Sequence, residues 1–361
     1  MKPIETYFLI AILSLLTACN EMQYYAQSVQ GQLDILSQTQ DIELLLADDK
    51  LDEEVRGKLL LVLQARKFAG DTLDLSFNKS YTEYVDLNRS YVVKNLYAAE
   101  EFSTQLYTWC YPVIGCANYR GYFDTSMLEH YRGDMDETGY DTYVGNVTAY
   151  STLGWFDDPV LNTFVGLPDY RLAGLVFHEL AHQQIYTNGD TAFNESFATT
   201  VEQAGLEQFY AAGDDANQLG NYRLYRKRMS ELVTLVAQAR EELESLYRLP
   251  LSDVNKRQDK ARVIEQLEYQ YAALTKSWTG STYASSSPVF NNARLGAMAA
   301  YHQYVPAFLN ILLSHNQNFP QFYSHVRKLS ELAPEKREQC LLLWNENARI
   351  ASTPMPAMCE A

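Results

Sequence analysis

The chain has 361 residues, of which 47% are hydrophobic and 20% charged, a balance typical of a globular protein and not of a disordered one. The formal net charge of −16 argues against nucleic acid as a partner and against attachment to anionic lipid through a basic patch. The length suffices for one large domain or two, and no repeat at a fixed period is present.

The first 20 residues have the pattern of an export signal. Residues 7–16 form an apolar run that is too short to span a bilayer comfortably. The letters LTAC at 16–19 follow directly and resemble a bacterial lipobox, which implies cleavage of a signal peptide 1–18 and a lipid on the thiol of Cys19. The alternative is an ordinary signal peptide followed by an incidental cysteine. Because Asn20 and not an aspartate comes next, an outer-membrane location is favoured over inner-membrane retention.

The segment that follows the signal is predicted to be largely helical. Between 24 and 75 the leucines recur three and four residues apart, as in Leu33 and Leu36 or Leu59 and Leu63. This spacing predicts two or three helices that pack as a bundle. Residues 77–100 have a mixed pattern.

Four cysteines remain beyond Cys19, and an even number in an exported chain suggests disulfides. Three pairings are allowed, and the sequence does not choose between them. A cysteine-ligated metal site is disfavoured, because the first two are spaced more widely than metal-binding pairs. These disulfide candidates are Cys110, Cys116, Cys340 and Cys359.

Residues 140–153 are rich in β-forming side chains and predict a strand, with Gly145 as an interruption. Within this segment, 145–152 is the candidate for an edge strand that pairs with the backbone of an extended peptide. The alternative is a structural hairpin with no role in binding.

The sequence HELAH at 178–182 is the most informative motif. On a helix, His178 and His182 lie on the same face and can bind one zinc ion through two imidazole nitrogens. Glu179 is then positioned to take a proton from a metal-bound water, as in zinc metalloproteases. The apolar residues 172–177 directly before the motif favour a buried helix that shields the metal.

A catalytic zinc site needs a third protein ligand and an open position for water. Residues 187–190 have turn chemistry, and 190–202 predict a second helix that Asn194 or Thr191 could cap. This arrangement brings Glu195 opposite the two histidines and makes it the predicted third ligand. Glu202 is the rival ligand, and Asp190 is predicted to accept a hydrogen bond from a ligand histidine.

The remainder of the chain is predicted to be helical. Residues 222–278 are charged with helical apolar spacing, and Pro250 interrupts them with Ser252 able to start the second half, which predicts a helical hairpin. A further helix is expected to open near Asn291 and Asn292, which either cap it or bind a substrate terminus.

Zinc peptidases stabilise the oxyanion of the tetrahedral intermediate with a hydrogen-bond donor. The candidates for this donor are Tyr150, Tyr122, Tyr301 and His302. An aminopeptidase would also need carboxylates around the α-amine of the substrate, for which Glu202, Asp157 and Asp158 are available.

The chain resembles the putative aminopeptidases of bacterial envelopes, which carry a gluzincin-type HExxH followed by an NExxA-like segment. The resemblance covers nearly all of the mature chain, and the segments that carry it are 109–116 (WCYPVIGC), 119–123 (YRGYF), 149–159 (AYSTLGWFDDP), 178–182 (HELAH) and 193–198 (FNESFA). It implies a zinc peptidase with His178, His182 and Glu195 as metal ligands and Glu179 as the catalytic residue. The gap between His182 and Glu195 is shorter than in many gluzincins, and no G-x-M-E-N exopeptidase segment is present.

These features together predict one zinc ion per chain and hydrolysis of peptide bonds in the bacterial cell envelope, by an aminopeptidase held to the membrane through lipid at Cys19. The alternatives are an envelope endopeptidase and a non-catalytic zinc-binding lipoprotein that serves assembly. The expected fold is α+β and predominantly helical, with a zincin-like catalytic core, a small edge sheet and a helical hairpin. The expected parts of the mature chain 19–361 are an N-terminal helical part (20–100), the catalytic core (101–215), the hairpin (220–280) and a C-terminal helical part (288–361).

Overall fold

The computed structural model describes residues 21–75, 78–111, 115–149, 152, 155–213, 215–278, 288–300, 303–347 and 359. Over these ranges the chain is predominantly helical with small β-sheets, which confirms the predicted α+β class. The predicted signal peptide with Cys19, and the oxyanion candidates Tyr150, Tyr301 and His302, lie outside the described residues. No helix in the described ranges is both long and apolar enough to cross a membrane.

The N-terminal part is helical, as its leucine spacing predicts. Helix α1 covers 21–36, β1 is Gln40–Asp41, α2 is Ile42–Leu46 and α3 is Glu53–Asp71. The carboxylate of Asp52 accepts hydrogen bonds from the first backbone N–H groups of α3, which fixes where that helix begins. Tyr24 of α1 is buried against Tyr111 and Tyr122, so this helix packs onto the sheet region.

The β-structure forms three small sheets. The remaining strands are β2 Glu83–Val85, β3 Val93–Glu100, β4 Trp109–Tyr111, β5 Gly115–Ala117, β6 Arg120–Tyr122, β7 Tyr140–Val147 and β8 Val160–Leu161. The sheet orders are β1-β2-β8, β6-β3-β7 and β4-β5. In the second sheet, β3 is antiparallel to both neighbours, and Asn95 stands opposite Gly121 and Gly145. The predicted strand at 140–153 therefore corresponds to β7, which lies at an edge of its sheet.

The rest of the described chain is mainly helical. Its helices are α4 Thr125–Glu137, α5 Asn162–Val165, α6 Asp169–Gln184, α7 Thr191–Ala212, α8 Ala216–Tyr247, α9 Asp253–Lys276, α10 Asn292–Ala300, α11 Val305–Ser314, α12 Phe319–Ser330 and α13 Pro334–Asn347. Helices α8 and α9 are the predicted hairpin, and Ser252 caps α9 by accepting a hydrogen bond from the backbone N–H of Asn255. The hairpin has its own apolar cluster, formed along both helices with Trp278 and Phe290.

The largest apolar cluster encloses α6 and α7, and two glycines permit their close packing. A Cβ atom at Gly174 of α6 would lie 2.9 Å from the Leu206 side chain and 3.1 Å from that of Glu202. A Cβ atom at Gly205 of α7 would lie 3.0 Å from the Phe177 ring. A larger residue at either position would have to displace the side chains that pack there.

The structure contains two disulfides. Cys110 is bonded to Cys116 across the β4–β5 pair, and Cys340 of α13 is bonded to Cys359. The second bond joins the chain terminus to the main core, where both sulfur-bearing residues are fully buried. Both bonds restrict the unfolded chain, and because each closes a short loop this contribution to stability is smaller than that of a long loop.

Candidate metal centre

Helix α6 presents the two histidines of the HELAH motif side by side. The ring centroids of His178 and His182 are 4.9 Å apart, as expected for residues one helical turn from each other. Both side chains are largely shielded from solvent, since 12% of the His178 side chain and 7% of the His182 side chain are exposed. Glu179 between them is buried as well. The apolar residues before the motif thus bury the helix, as predicted.

A short turn brings α7 back against α6, and a buried asparagine holds that turn. The side chain of Asn194 accepts a hydrogen bond from the backbone N–H of Thr187 and donates one to the carbonyl oxygen of the same residue, both at 2.8 Å. Asp190 caps the helix by accepting a hydrogen bond from the backbone N–H of Phe193. The prediction that Asn194 or Thr191 is the cap is therefore wrong, because Asn194 lies one turn inside the helix and holds the preceding turn.

The carboxylate of Glu195 meets both histidines. Its Oε2 lies 3.3 Å from His178 Nε2, and its Oε1 lies 3.7 Å from His182 Nε2. One donor atom from each of the three residues lies within 4.8 Å of the other two. Tetrahedral zinc with ligands at ~2.0–2.1 Å places neighbouring ligand atoms about 3.3–3.4 Å apart. The residues present therefore fit a zinc ion in both chemistry and separation.

Glu202 contacts the opposite nitrogen of the first histidine. Its Oε2 lies 3.3 Å from His178 Nδ1, whereas Glu195 faces Nε2 of the same ring. This contact orients the imidazole and fixes which nitrogen is available for a metal. Glu202 thus contacts a candidate ligand histidine, which is the role predicted for Asp190. Asp190 instead accepts a hydrogen bond at 2.9 Å from the buried guanidinium of Arg337 and caps α7.

The centre is rich in buried negative charge. Burial raises the pKa of Glu179 to about 7, with Glu195, Asp158 and Glu202 acting in the same direction and His178 opposing it. Burial also lowers the pKa of His182 to about 4. For His178, burial opposes protonation, but the contacts with Glu195 and Glu202 outweigh it and raise the pKa well above the usual range. Carboxylates packed around two imidazoles form an environment that attracts a cation.

The Nδ1 atom of His182 is buried and has no hydrogen-bond partner among the described residues. The two histidines are therefore supported differently, since only the first has a carboxylate behind its ring. A ligand histidine usually donates its second ring N–H to an acceptor, so the protein itself orients His178 more firmly than His182.

The centre opens into a cavity of about 1000 Å³. Its wall includes the end of β7 and the residues after it, namely Gly145, Asn146, Val147, Thr148, Ala149 and Thr152. The described residues of the predicted segment 145–152 therefore line the same cavity as the candidate metal ligands, and 145–147 of them belong to the edge strand β7. Pairing of this edge with a substrate remains a prediction.

Two tyrosines near the centre were not among the sequence candidates. Tyr119 and Tyr186 line the cavity, and the Tyr186 ring packs edge-on against His182 at 6.3 Å. Burial raises the pKa of Tyr119 well above its usual range, with smaller contributions from Tyr186 and Glu195. Burial and then Glu195 raise the pKa of Tyr186. Both hydroxyls therefore stay protonated and can donate hydrogen bonds.

Tyr122, a candidate oxyanion donor, faces away from the cavity. It is buried between Tyr24 and the guanidinium of Arg120. Residues alternate between the two faces of a strand, so Tyr119, Gly121 and Phe123 line the cavity while Tyr122 lies on the opposite face. This alternation in YRGYF is the signal that could have directed attention to Tyr119.

The predicted acidic cage for a substrate amine does not form from the two aspartates. Asp157 accepts a hydrogen bond from the backbone N–H of Lys79, and buried Asp158 accepts from the backbone N–H of Thr152. Neither aspartate lines the cavity. The third proposed acid, Glu202, does line it but contacts His178.

The asparagines before α10 have structural roles. Asn291 caps the helix by accepting a hydrogen bond from the backbone N–H of Arg294, as predicted. Asn292 is fully buried and donates hydrogen bonds to the carbonyl oxygens of Glu100 and Glu101. The alternative role, binding of a substrate terminus, has no support from these contacts.

The family model described as Putative aminopeptidase matches residues 23–341. This match covers most of the chain, and the chain therefore belongs to that family. No curated protein and no solved structure matches the chain. The description of the family indicates a peptidase, in agreement with the resemblance seen in the sequence.

Proposed function

We propose that this chain is a zinc-dependent peptidase with one zinc ion per chain. The observation that supports this proposal most directly is the convergence of His178, His182 and Glu195 beside the buried carboxylate of Glu179. Two histidines and one glutamate leave a fourth position open for water, as catalytic zinc requires. A helix that carries both histidines, a second helix that carries the glutamate and a nearby edge strand together form a zincin-like core.

In this mechanism His178, His182 and Glu195 would hold the metal. A zinc ion held there would act as a Lewis acid towards the scissile carbonyl and would lower the pKa of a water molecule. Glu179 would take a proton from the attacking water and return it to the leaving amine. Tyr119 or Tyr186 donates a hydrogen bond to the carbonyl oxygen as it gains negative charge. Glu202 keeps the His178 ring in the orientation that leaves Nε2 free for the metal.

The name of the family favours removal of N-terminal residues, and one observation favours an endopeptidase instead. Among the described residues that line the cavity, the carboxylates are those of Glu179, Glu195 and Glu202, and all three belong to the metal centre. An aminopeptidase must therefore use one of them for the substrate amine, whereas an endopeptidase needs no such group. A non-catalytic zinc protein for assembly is disfavoured, because it would have no use for the carboxylate of Glu179.

The proposal includes the cell envelope as the place of action. A lipid on Cys19 would hold the mature chain at the outer membrane, facing the periplasm. Replacing Cys19 by serine should then move the protein from the membrane fraction to the soluble fraction. Retention of the Cys19→Ser variant in membranes would contradict lipid anchoring.

The decisive experiment compares zinc content and turnover in matched variants. The purified protein should contain about one zinc per chain and cleave unblocked peptides, as metal analysis and mass spectrometry would show. Glu179→Gln should keep the zinc but lower turnover by several orders of magnitude, since only proton transfer is removed. Glu241→Gln, on the exposed surface of α8, is the control and should change neither the zinc content nor the turnover.

Acetylated and free peptides separate the two modes of cleavage. If the enzyme is an aminopeptidase, acetylation of the substrate amine should abolish cleavage, because a charged contact contributes to transition-state binding. Equal cleavage of both peptides would favour the endopeptidase. Normal turnover by Glu179→Gln would contradict the zinc-peptidase proposal in either form.

A further inference from the structure

The cavity wall carries a cation that the proposed mechanism does not use. Among the described residues that line the cavity, Arg171 is the one basic residue of the lysine or arginine type. The whole chain, by contrast, has a net charge of −16. The acidic side chains in the same wall belong to the metal centre. The cavity therefore has negatively charged side chains at the candidate metal centre and a positively charged side chain at Arg171.

Arg171 lies on the same face of α6 as the candidate ligands. Leu175, His178 and His182 follow it at intervals of three and four residues, and all of them line the cavity. At ~1.5 Å per residue, the seven residues from Arg171 to His178 correspond to about 10 Å along the helix. The cavity thus extends along α6 from the metal centre towards the N-terminal end of the helix, which itself carries partial positive charge.

The guanidinium of Arg171 forms no ion pair with a carboxylate in the described part of the chain. It lies 5.3 Å from the centroid of the Tyr225 ring, which holds it by a cation–π contact. The nearest acid in the sequence, Asp169, is bound by Lys58 at 2.6 Å and by Gln218 at 3.2 Å.

The two arginines that are fully buried among the described residues are both paired with acids. Arg120 contacts Glu21 at 3.0 Å, and Arg337 contacts Asp190 at 2.9 Å. Arg171 differs from both, because its charge is available to a molecule in the cavity.

We propose that Arg171 binds a carboxylate of the peptide substrate about three residues from the scissile bond. This inference rests on the proposed peptidase function and specifies its substrate class. A strand advances ~3.3 Å per residue, so the 10 Å between the metal centre and Arg171 corresponds to about three residues. A guanidinium binds a carboxylate through two parallel hydrogen bonds. The carboxylate is either the C-terminus of a short peptide or an Asp or Glu side chain at that position.

Three peptides distinguish the two sources. They are Leu-Ala-Ala-Ala with a free C-terminus, the same peptide as its C-terminal amide, and the amide with Glu as its fourth residue. If the C-terminus is recognised, kcat/KM for the free acid should exceed that for both amides by about ten- to a hundredfold, the effect of a charged hydrogen-bonded pair. If any carboxylate suffices, the Glu-containing amide should be cleaved as well as the free acid.

Variants of Arg171 test whether this residue causes the preference. In Arg171→Gln the ratio of kcat/KM for acid over amide should fall to about one, and in Arg171→Lys it should be intermediate, because lysine keeps the charge but not the paired geometry. Arg248→Gln, exposed at the end of α8, is the control and should keep the wild-type ratio. An unchanged ratio in Arg171→Gln, or no preference in the wild type, would overturn the proposal.

Measurements of peptide binding show whether a negative result counts against the role of Arg171 or against the peptidase proposal. Calorimetry with the zinc-loaded Glu179→Gln protein measures the affinity of the same three peptides without cleavage. The acid preference and its loss in the Arg171→Gln/Glu179→Gln double variant should appear there too. Absence of the preference in binding would overturn the role of Arg171, whereas absence of cleavage by the wild type would count against the peptidase proposal alone.

Discussion

Two helix pairs in this protein are built in different ways. Helices α6 and α7 bury polar side chains at their contact, and helices α8 and α9 bury an almost entirely apolar row. The buried polar residues of the first pair are Glu179, His182, Asn194, Ser196, Thr199 and Thr200. The buried residues of α8 in the second pair are Leu232, Val236, Ala239, Leu243, Leu246 and Tyr247.

The difference indicates where chemistry is located. Burying a polar group costs free energy unless a partner compensates it, and in the first pair most of these groups have partners. His178 contacts Glu202, the Asn194 side chain holds the turn at Thr187, and the Ser196 hydroxyl accepts a hydrogen bond from the backbone N–H of Tyr304. In the hairpin, the buried row is apolar and serves stability. We therefore expect mutations in the first pair to change metal binding and those in the second to change folding.

The largest effect is expected from removal of a histidine in the metal centre. His182→Ala should lose most of the bound zinc, because the ion keeps only two protein ligands and its affinity should fall by more than about a thousandfold. Metal analysis after dialysis against a weak chelator measures this. His130→Ala, at an exposed position of α4, provides the matched control and should retain its zinc. Full zinc retention by His182→Ala would show that the buried polar residues of α6 and α7 do not form a zinc site.

The hairpin should respond in the opposite way. Leu243 is fully buried in its apolar cluster, so Leu243→Ala should lower the free energy of unfolding by about 2–5 kcal/mol. Zinc affinity of the folded protein should not change. Leu249 is 49% exposed, and Leu249→Ala should have little effect on either quantity. Denaturant unfolding and a zinc competition assay measure the two outcomes. Weakened zinc binding in Leu243→Ala would mean that the hairpin is coupled to the metal centre.

The same contrast explains which features the sequence could predict. The candidate ligands of the HELAH motif and the helical hairpin depend on local spacing, and both can be predicted from the sequence. The choice between Glu195 and Glu202 depends on which nitrogen of His178 each one meets, and this is set by the packing of α7 on α6. Because Gly174 has no side chain, Glu202 can pack closely against α6. A glycine within a helix does not indicate in the sequence which residue will pack against it.

The sequence does not predict β3, the central strand of the β6-β3-β7 sheet, for a related reason. Residues 95–99 of β3 are buried in succession, so the alternation that marks a half-exposed strand is absent. Its partners, β6 and β7, follow much later in the sequence. The alternation in YRGYF identifies Tyr119 only once the face of the strand that meets the cavity is known, and nothing local in the sequence indicates that face.

A smaller effect on metal binding is expected from the residue behind the first histidine. Glu202→Gln should weaken zinc binding by about 10- to 100-fold, because the His178 ring loses the carboxylate that orients it while all three ligands remain. Glu195→Gln should weaken it more. Competition with a chromogenic chelator ranks the zinc affinities of the two variants. The control is Glu207→Gln, because Glu207 lies further along α7 and is paired with Arg223 of α8. If Glu202→Gln proved the more damaging, the roles of ligand and supporting residue would have to be exchanged.

The smallest effect tests how the hairpin is attached to the sheet. Lys260 of α9 contacts Asp141 of β7 at 2.7 Å and donates a hydrogen bond to the carbonyl oxygen of Glu101 at 2.9 Å. The Lys260 side chain is only 14% exposed, so this contact should contribute more than a pair in full solvent. Lys260→Met should lower the free energy of unfolding by about 1 kcal/mol, whereas Lys276→Met at the exposed end of α9 should not.

The effect of Lys260→Met on peptide cleavage then decides how separate the two regions are. Lys260 binds the first residues of β7, and the other end of the same strand lines the cavity beside the candidate metal ligands. Because β3 pairs with β7 along its whole length, the sheet should hold the strand in place without the lysine. We therefore expect unchanged kcat/KM at a temperature where the variant is fully folded. A drop in kcat/KM with unchanged zinc affinity would mean that the hairpin positions the edge strand. The α8–α9 pair would then contribute to catalysis as well as to stability, and would not differ from the α6–α7 pair in this respect.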